Sequence, residues 1–353
     1  MSINKSEITI LLQQLIAIES YSKTEDKTAD IIADFIRNKG IEVNILLNNV
    51  WVKNKHYDKN KPSILLNSHH DTVKPNAQYS KNPFEATIED GKLYGLGSND
   101  AGGALVSLLA CFLHFYASTD LKFNLIYAAT AEEEISGKNG IELLLPQLGE
   151  IYFGIVGEPT NMNVAIAEKG LLVIDCIAKG KSGHAARDEG DNAIYKALKD
   201  IEWFRTHKFK KISETLGAVK MTVSIINAGI QHNSIPEICT FTVDIRTTDE
   251  YSHQEILDII AQHTTCTIQP RSNRLKSSSV NNNHPMVIAA SALNRTFYGS
   301  PTTSDQALMN FSTFKMGPGD SARSHTADEF IYINEIEEAV DLYIQLLNQF
   351  NTL

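Results

Sequence analysis

Basic residues are in short supply in this chain: 32 Lys and Arg stand against 42 Asp and Glu, a net charge of −10. A surface of that sign is a poor match for nucleic acid or an anionic membrane, and it says little about a small substrate. Cysteine is scarcer, with Cys111, Cys176, Cys239 and Cys266 alone. They lie far apart, three within apolar or β-like runs, which argues against a disulfide framework or a zinc knuckle and for buried, reduced thiols. Long apolar runs are missing too: none reaches the roughly 20 residues of a membrane-spanning helix. The amino terminus has no basic start followed by an apolar core and a small-residue cleavage site, so a soluble, cytoplasmic protein is expected. No internal repeat is visible, and the Ser/Asn-rich stretch 271–284 is the only biased tract.

What is present suffices for a large core. Hydrophobic residues make up 42% and charged residues 21% of 353 positions, ordinary globular proportions in a chain longer than one typical domain. Ile8, Leu11, Leu12, Leu15 and Ile16 recur at helical spacing, and Ile31, Ile32, Phe35 and Ile36 do so in a second helix over 27–39 that stops at Gly40. Strand-like and helical segments then alternate. Residues 41–47, 64–67, 123–129 and 151–156 read as strands, 91–97 as a turn-rich approach to Asn99-Asp100-Ala101-Gly102-Gly103, and 104–117 as a buried helix. This alternation predicts an α/β fold with a mostly parallel sheet flanked by helices on both faces.

From residue 169 the rhythm becomes β-α-β-β-α-β, with strands at 171–178, 219–227, 239–247 and 265–269 and helices at 193–208 and 252–263. That is the order of a ferredoxin-like α+β module. The predicted organisation is a first domain of 1–168 completed by 280–353, with 169–279 inserted. Helices are expected near 285–298 and 334–350, around Phe314-Lys315-Met316.

The chemistry centres on Ser68-His69-His70-Asp71-Thr72, which closes the apolar run Ile64-Leu65-Leu66. Side chains alternate in extended backbone, so His69 and Asp71 share one side while His70 points away into packing. An imidazole coordinates a metal through one ring nitrogen while a carboxylate accepts the N–H of the other. Ligands of parallel sheets collect at the carboxyl ends of strands, where Glu133, Glu134 and Glu158 also fall, with Asp100 beside them at a helix start. Each has a plainer reading. Asp100 would serve as a helix N-cap, Glu132-Glu133-Glu134 as a solvated helix start, Glu158 before Pro159 as a turn residue, and His325 as a loop histidine.

Taken in order, these residues resemble the zinc-dependent aminoacylase family that includes acetylornithine deacetylase, succinyl-diaminopimelate desuccinylase and carboxypeptidase G. The resemblance spans nearly the whole chain: His69-x-Asp71 after a strand, Gly95-x-Gly97-x-x-Asp100 before a helix, a Glu-Glu pair, Gly157-Glu158-Pro159-Thr160, Gly183-His184 in the inserted domain, and Gly317-Pro318-Gly319 followed by His325. The chain departs from the commoner Asp-Met-Lys-Gly form at Asp100-Ala101-Gly102-Gly103.

The resemblance implies a zinc-exopeptidase-like catalytic domain and two divalent metal ions, zinc, with cobalt able to substitute. Asp100 would bridge them, His69 and Glu158 would hold one, and Glu134 and His325 the other. Asp71 would orient His69, and Glu133 would act as general base and acid. The pair could be Glu132-Glu133, although the following Ile135-Ser136-Gly137 favours Glu133-Glu134. His184 would reach from a partner subunit to stabilise the oxyanion, making the protein a homodimer through the inserted domain. Asn233 and Arg246 match substrate-binding positions, Arg246 being suited to grip an α-carboxylate. Lys169 and the 302–305 loop would also contact substrate.

The expected reaction is hydrolysis of the amide of an N-acyl amino acid, as in acetylornithine deacetylase of arginine biosynthesis. N-acetyl- or N-succinyl-citrulline or ornithine, or a dipeptide, are the alternatives. A non-catalytic binding protein is disfavoured because every catalytic position holds a residue able to do its work.

Overall fold

The computed structural model describes residues 5–353. The chain divides into two compact units. The first takes in the described residues up to Ile166 together with Ser279–Tyr298 and Ser304–Leu353; the second is Ala167–Ser278 with Gly299–Thr303. Segment 299–303, which the sequence assigned to the closing part of the first domain, is thus part of the second unit.

The first unit is built on a nine-stranded sheet. Its centre is four parallel strands in the order Asn124–Thr130, Ser63–His69, Phe153–Val156, Thr313–Lys315. Asn44–Leu46 and Asn49–Lys53 extend one side antiparallel, and Val164–Glu168 pairs antiparallel on the other. Strands Ser63–His69 and Asn124–Thr130 are buried at every position, because both faces are covered and both must therefore be apolar. Ile64, Leu66, Leu125 and Tyr127 share one core with the amino-terminal helices Lys5–Ile16 and Asp26–Arg37, helix Gly103–Phe115 and the carboxyl-terminal helix Ile333–Thr352. Leu65, Ile126 and Ala128 face the opposite way onto helix Ile141–Leu148. Helix Gly103–Phe115 is almost wholly apolar because it is enclosed at every position but His114; Leu105, Leu108, Leu109 and Phe112 are at most 1% exposed. Each contributes roughly 1.5–3 kcal/mol by leaving water.

The second unit carries a four-stranded antiparallel sheet in the order Lys220–Ala228, Ile238–Thr247, Gly170–Lys179, Thr267–Pro270. Helices Ala193–Thr206 and His253–His263 belong to the same unit, and Ala193, Ala197, Phe204, Ile256 and Ile260 share a core with Leu172, Ile174, Phe241 and Val243 of the sheet. Ser252 and Glu255 close the start of the second helix by bonding each other's backbone N–H.

Some expectations shift. The region 285–298 divides into helix Pro285–Ser291 and strand Phe297–Ser300, and strands Asn49–Lys53 and Val164–Glu168 were not anticipated. Segment 41–47 yields a strand only at Asn44–Leu46. All four cysteines are free and buried. No helix among the described residues is long and apolar enough to cross a membrane.

Candidate metal centre

The four central strands run parallel, so their carboxyl ends meet at one edge, with His69 opposite Thr130, and Asn67 and Lys315 both opposite Val156. His69 ends its strand 1% exposed. Its Nδ1 lies 3.0 Å from the Asp71 main-chain oxygen, an acceptor only, and therefore carries the proton; the Asp71 carboxylate is slightly farther, at 3.4 Å. Nε2 then faces Asp100 at 3.3 Å, Glu158 at 3.8 Å and Glu133 at 3.9 Å. His70 turns away: its Nε2–H donates to the Asn48 carbonyl and its Nδ1 accepts from the Thr28 hydroxyl, both at 2.9 Å.

Asp71 does more than face His69. Its Oδ1 accepts from the Glu133 N–H at 3.0 Å, and its Oδ2 from the Glu134 N–H at 3.2 Å and the Ser22 hydroxyl at 2.7 Å. It thereby fixes the short 3₁₀ turn Glu133–Ile135. Glu132, with φ +56°, turns the opposite way and accepts from the Asn139 side chain at 2.9 Å, so Glu133 and Glu134 are the pair that faces His69 and His325.

Asp100 is not the N-cap of the following helix; that position is Gly102. Its backbone is extended, φ −116° and ψ 99°, within the turn Ser98–Gly102. Its two oxygens look toward different imidazoles, Oδ1 to His69 and Oδ2 to His325 Nε2 at 3.7 Å. His325 Nε2 also meets Glu134 at 3.1 Å. The Gly317-Pro318-Gly319 run brings these loops together. A Cβ on Gly317 would stand 2.4 Å from the Glu158 carbonyl oxygen, and one on Gly319, whose φ is +85°, 2.3 Å from Asn99 Oδ1. Only glycine fits such approaches.

Two residues of this centre, Glu329 and Asn99, were given no role by the sequence, and the burial of a third, Asp305, was not foreseen. Glu329, 2% exposed, accepts the backbone N–H groups of Gly97, Asn99 and Asp100 at 3.2, 2.8 and 2.9 Å. Asn99 bonds Asp320 through both ends of its amide. Asp305, in the loop expected to contact substrate, is buried, accepting from Thr130 at 2.8 Å and Asn67 at 3.1 Å. The available signal was a carboxylate or amide set beside an apolar run.

Crowding tunes these groups. Burial, reinforced by Glu158, Asp305 and Glu134, pushes Glu133 well above the usual carboxylate range. Burial with Asp100 and Glu134 raises Glu158 to about 8. His325 is raised to about 9, mainly by its hydrogen bond to Glu134. Burial disfavours a charge on His69, yet Glu133, Asp100, Asp71 and Glu158 together hold it well above its ordinary value.

The profile of peptidase family M20/M25/M40 matches residues 65–349. The chain belongs to this family. A probable succinyl-diaminopimelate desuccinylase of Staphylococcus epidermidis is 24% identical over 94% of this chain and 95% of its own length. An acetylornithine deacetylase of Proteus mirabilis is 26% identical over 96% of each. Among solved structures, the aminopeptidase PepT of Bacillus cereus superposes with a TM-score of 0.80 at 16% identity, covering 99% of this chain and 100% of that one, a likeness of fold.

As an M20 member the chain is a metallohydrolase, and its donor set suits that class. His69, Asp100 and Glu134, and likewise His69, Glu133 and Glu158, offer ligand atoms all within 4.8 Å of one another. Oxygen donors with imidazole nitrogen suit zinc. Four carboxylates gathered on two imidazoles in a partly buried setting would, if all ionised, carry more negative charge than the imidazoles offset; without metal that excess is relieved by proton uptake on Glu133 and Glu158, and divalent cations could relieve it in the protons' place.

The remaining residues expected to serve the site lie in the second unit. Strand Gly183–His184 pairs with Ser234–Ile235, and the Ala185 N–H donates to the Asn233 carbonyl at 3.0 Å, so His184 and Asn233 stand together. His184 is exposed, and its Nδ1 accepts only from the Ala186 N–H. Arg246 already holds Asp244 through two bonds, at 2.9 and 3.1 Å. Lys169 donates to the Ala218 carbonyl at 2.8 Å.

Proposed function

We propose that this chain hydrolyses the amide bond of an N-acyl amino acid, using two divalent metal ions, zinc or in its place cobalt. The observation that carries the reading is Asp100, whose two oxygens face the imidazoles of His69 and His325 separately. His69 and Glu158 would hold one ion, Glu134 and His325 the other, with Asp100 between. When bound, the ions supply Lewis acidity that polarises the amide carbonyl and acidifies water. Glu133, next to these ligands, takes the proton of the attacking water and delivers it to the departing amine nitrogen. Asp71 steadies both partners, His69 through its carbonyl and the glutamate pair through its carboxylate.

His184 donates to the oxyanion from a second copy of the chain, while Asn233, Arg246 and Lys169 hold the substrate, Arg246 at its α-carboxylate. A homodimer is supported by strand Lys220–Ala228. It is the edge of its sheet and exposes Ile225 and Ile226, and the neighbouring helix exposes Tyr195 and Leu198. The acyl amino acid is acetylornithine in this reading, within arginine biosynthesis in the cytoplasm. Acetylcitrulline and the succinyl forms of ornithine and citrulline share its chemistry, and the two curated relatives differ in the acyl group they name.

The test is hydrolysis of a panel by zinc-loaded protein: acetylornithine, acetylcitrulline, succinylornithine, succinylcitrulline, succinyl-diaminopimelate and dipeptides, each with and without chelator. A chelator-sensitive preference for one acyl amino acid is expected. Activity on dipeptides alone would reassign the substrate class.

A further inference from the structure

His325 is the most exposed of the clustered residues, its side chain 54% accessible, and its backbone sits in the left-handed region at φ +58°. Its chain neighbour Ser324 bonds the Asp100 carboxylate and meets the Asn99 amide at 3.5 Å, and further bonds hold the loop that keeps the imidazole 3.1 Å from Glu134. Those further bonds lie on either side of it in sequence. Five residues earlier, Asp320 gives its N–H to Asn99 Oδ1 at 3.0 Å and takes the Asn99 amide N–H on its carbonyl at 3.1 Å. Four residues later, Glu329 takes the N–H groups of Gly97, Asn99 and Asp100. Each loop thus sends one side chain to the backbone of the other.

Between the anchors the chain has little freedom. The Asp320 carboxylate caps the short turn Ser321–Arg323 by accepting the Ala322 N–H at 2.8 Å, and Arg323 is locked to Glu335 by two bonds of 2.7 and 3.0 Å. Asn99 is 0% exposed, and no other side chain of its size offers a donor and an acceptor side by side to match a peptide's own pair. With Gly319 lacking a Cβ, the amide reaches that peptide directly.

We propose that Asn99 and Glu329 are positioning residues. They form a reciprocal clamp that fixes the spacing of Asp100 and His325 and so sets affinity for the metal ion these two share with Glu134. The proposal rests on the two-ion reading above. It makes the Asn before Asp100 a working part of the centre, and neither residue touches metal or substrate.

Asn99→Ala and the near-isosteric Asn99→Leu test it by two readouts. In metal-free protein, amide hydrogen exchange across 319–329 should quicken relative to wild type. In zinc titration of the metal-free chain, the ion assigned to His325 should weaken by roughly 10–100-fold, the usual effect of losing an outer partner of a metal ligand, and by clearly more than the ion assigned to His69, which shares only Asp100 with it. In a His325→Ala background the same substitution should weaken zinc no further. Wild-type exchange rates would overturn the clamp, and faster exchange with both affinities intact would overturn its positioning role. Should either Asn99 variant fail to fold, Glu329→Gln, which removes the acceptor for the Gly97 N–H, is read in the same way. A wild-type chain that takes up only one ion would instead count against the two-ion reading, with exchange still judging the clamp.

Discussion

His69 and His184 are both motif histidines, and they are held in opposite ways. His69 is sealed at the end of a central strand, its tautomer fixed by a carbonyl and its free nitrogen turned to three carboxylates. His184 lies on a two-residue strand in the second unit, exposed, with one N–H donating to its ring. The same division runs through the rest. Asp100 and Glu134 are anchored through backbone N–H groups that the distant carboxylates of Glu329 and Asp71 grip, whereas in the second unit the Lys169 side chain bonds only a carbonyl and that of Arg246 a neighbour two residues away. A centre that must hold charge in place needs rigidity before anything binds. Groups that meet an incoming molecule can wait for it, since the contact that gives them value forms only then.

The comparison can be broken from either side. The largest effect is expected from Glu133→Gln, which keeps the shape and removes the proton acceptor: turnover should fall about 10²–10⁴-fold with metal content unchanged. Hydrolysis near the wild-type rate would take Glu133 out of the reaction. His184→Ala should lower turnover about 10²–10³-fold, again without loss of metal. Mixing that variant with Glu133→Gln should recover activity, because a mixed dimer contains one site with both residues intact. No recovery would confine His184 to its own subunit or remove it from the site.

A smaller change is expected for Arg246→Ala, since its guanidinium already serves Asp244: a Michaelis constant raised roughly tenfold for carboxylate-bearing substrates with little change in turnover. The smallest effect concerns stability. Burial pulls His70 down to about 4 from an ordinary 6.5. The unfolded chain therefore takes up this proton below 6.5 while the folded one refuses it until about 4. His70 thus withdraws stability as pH falls through that window, by at most about 1.4 kcal/mol per pH unit, and withdraws none above it. Unfolding of metal-free wild type and of a His70→Asn variant, followed from pH 7 to 4, should give a shallower slope for the variant. Equal slopes would mean that another group governs the acid limb.

The sequence carried the fold's plan well where periodicity was long. The alternation of apolar runs announced the parallel sheet and its two helical layers, because burial on both faces leaves continuous apolar strands. It failed for Asn49–Lys53 and Val164–Glu168, which are short and owe their state to pairing with strands far along the chain. Within the site, the ordered motifs carried the family resemblance, and it was the resemblance that named His69, Asp100, Glu134, Glu158 and His325 as a set to look for. Glu329 and Asn99 were invisible, since their partners lie about 220–230 residues away and a side chain reaching for a backbone N–H leaves no repeating mark in the chain. The burial of Asp305 was hidden for the same reason: its partners Thr130 and Asn67 are set by the sheet, not by its neighbours in sequence.

The glycines at 317 and 319 carry a lesson about mutational tolerance. Each occupies a place where a single added carbon would collide with another loop of the centre, one with a carbonyl oxygen and the other with the Asn99 amide. In a survey of all substitutions these two positions would stand out as sharply as Glu133 or His69, though neither has a side chain with which to do chemistry. Intolerance there would record the crowding of three loops, and ranking residues by how badly they accept change would merge the enzyme's chemistry with its joinery.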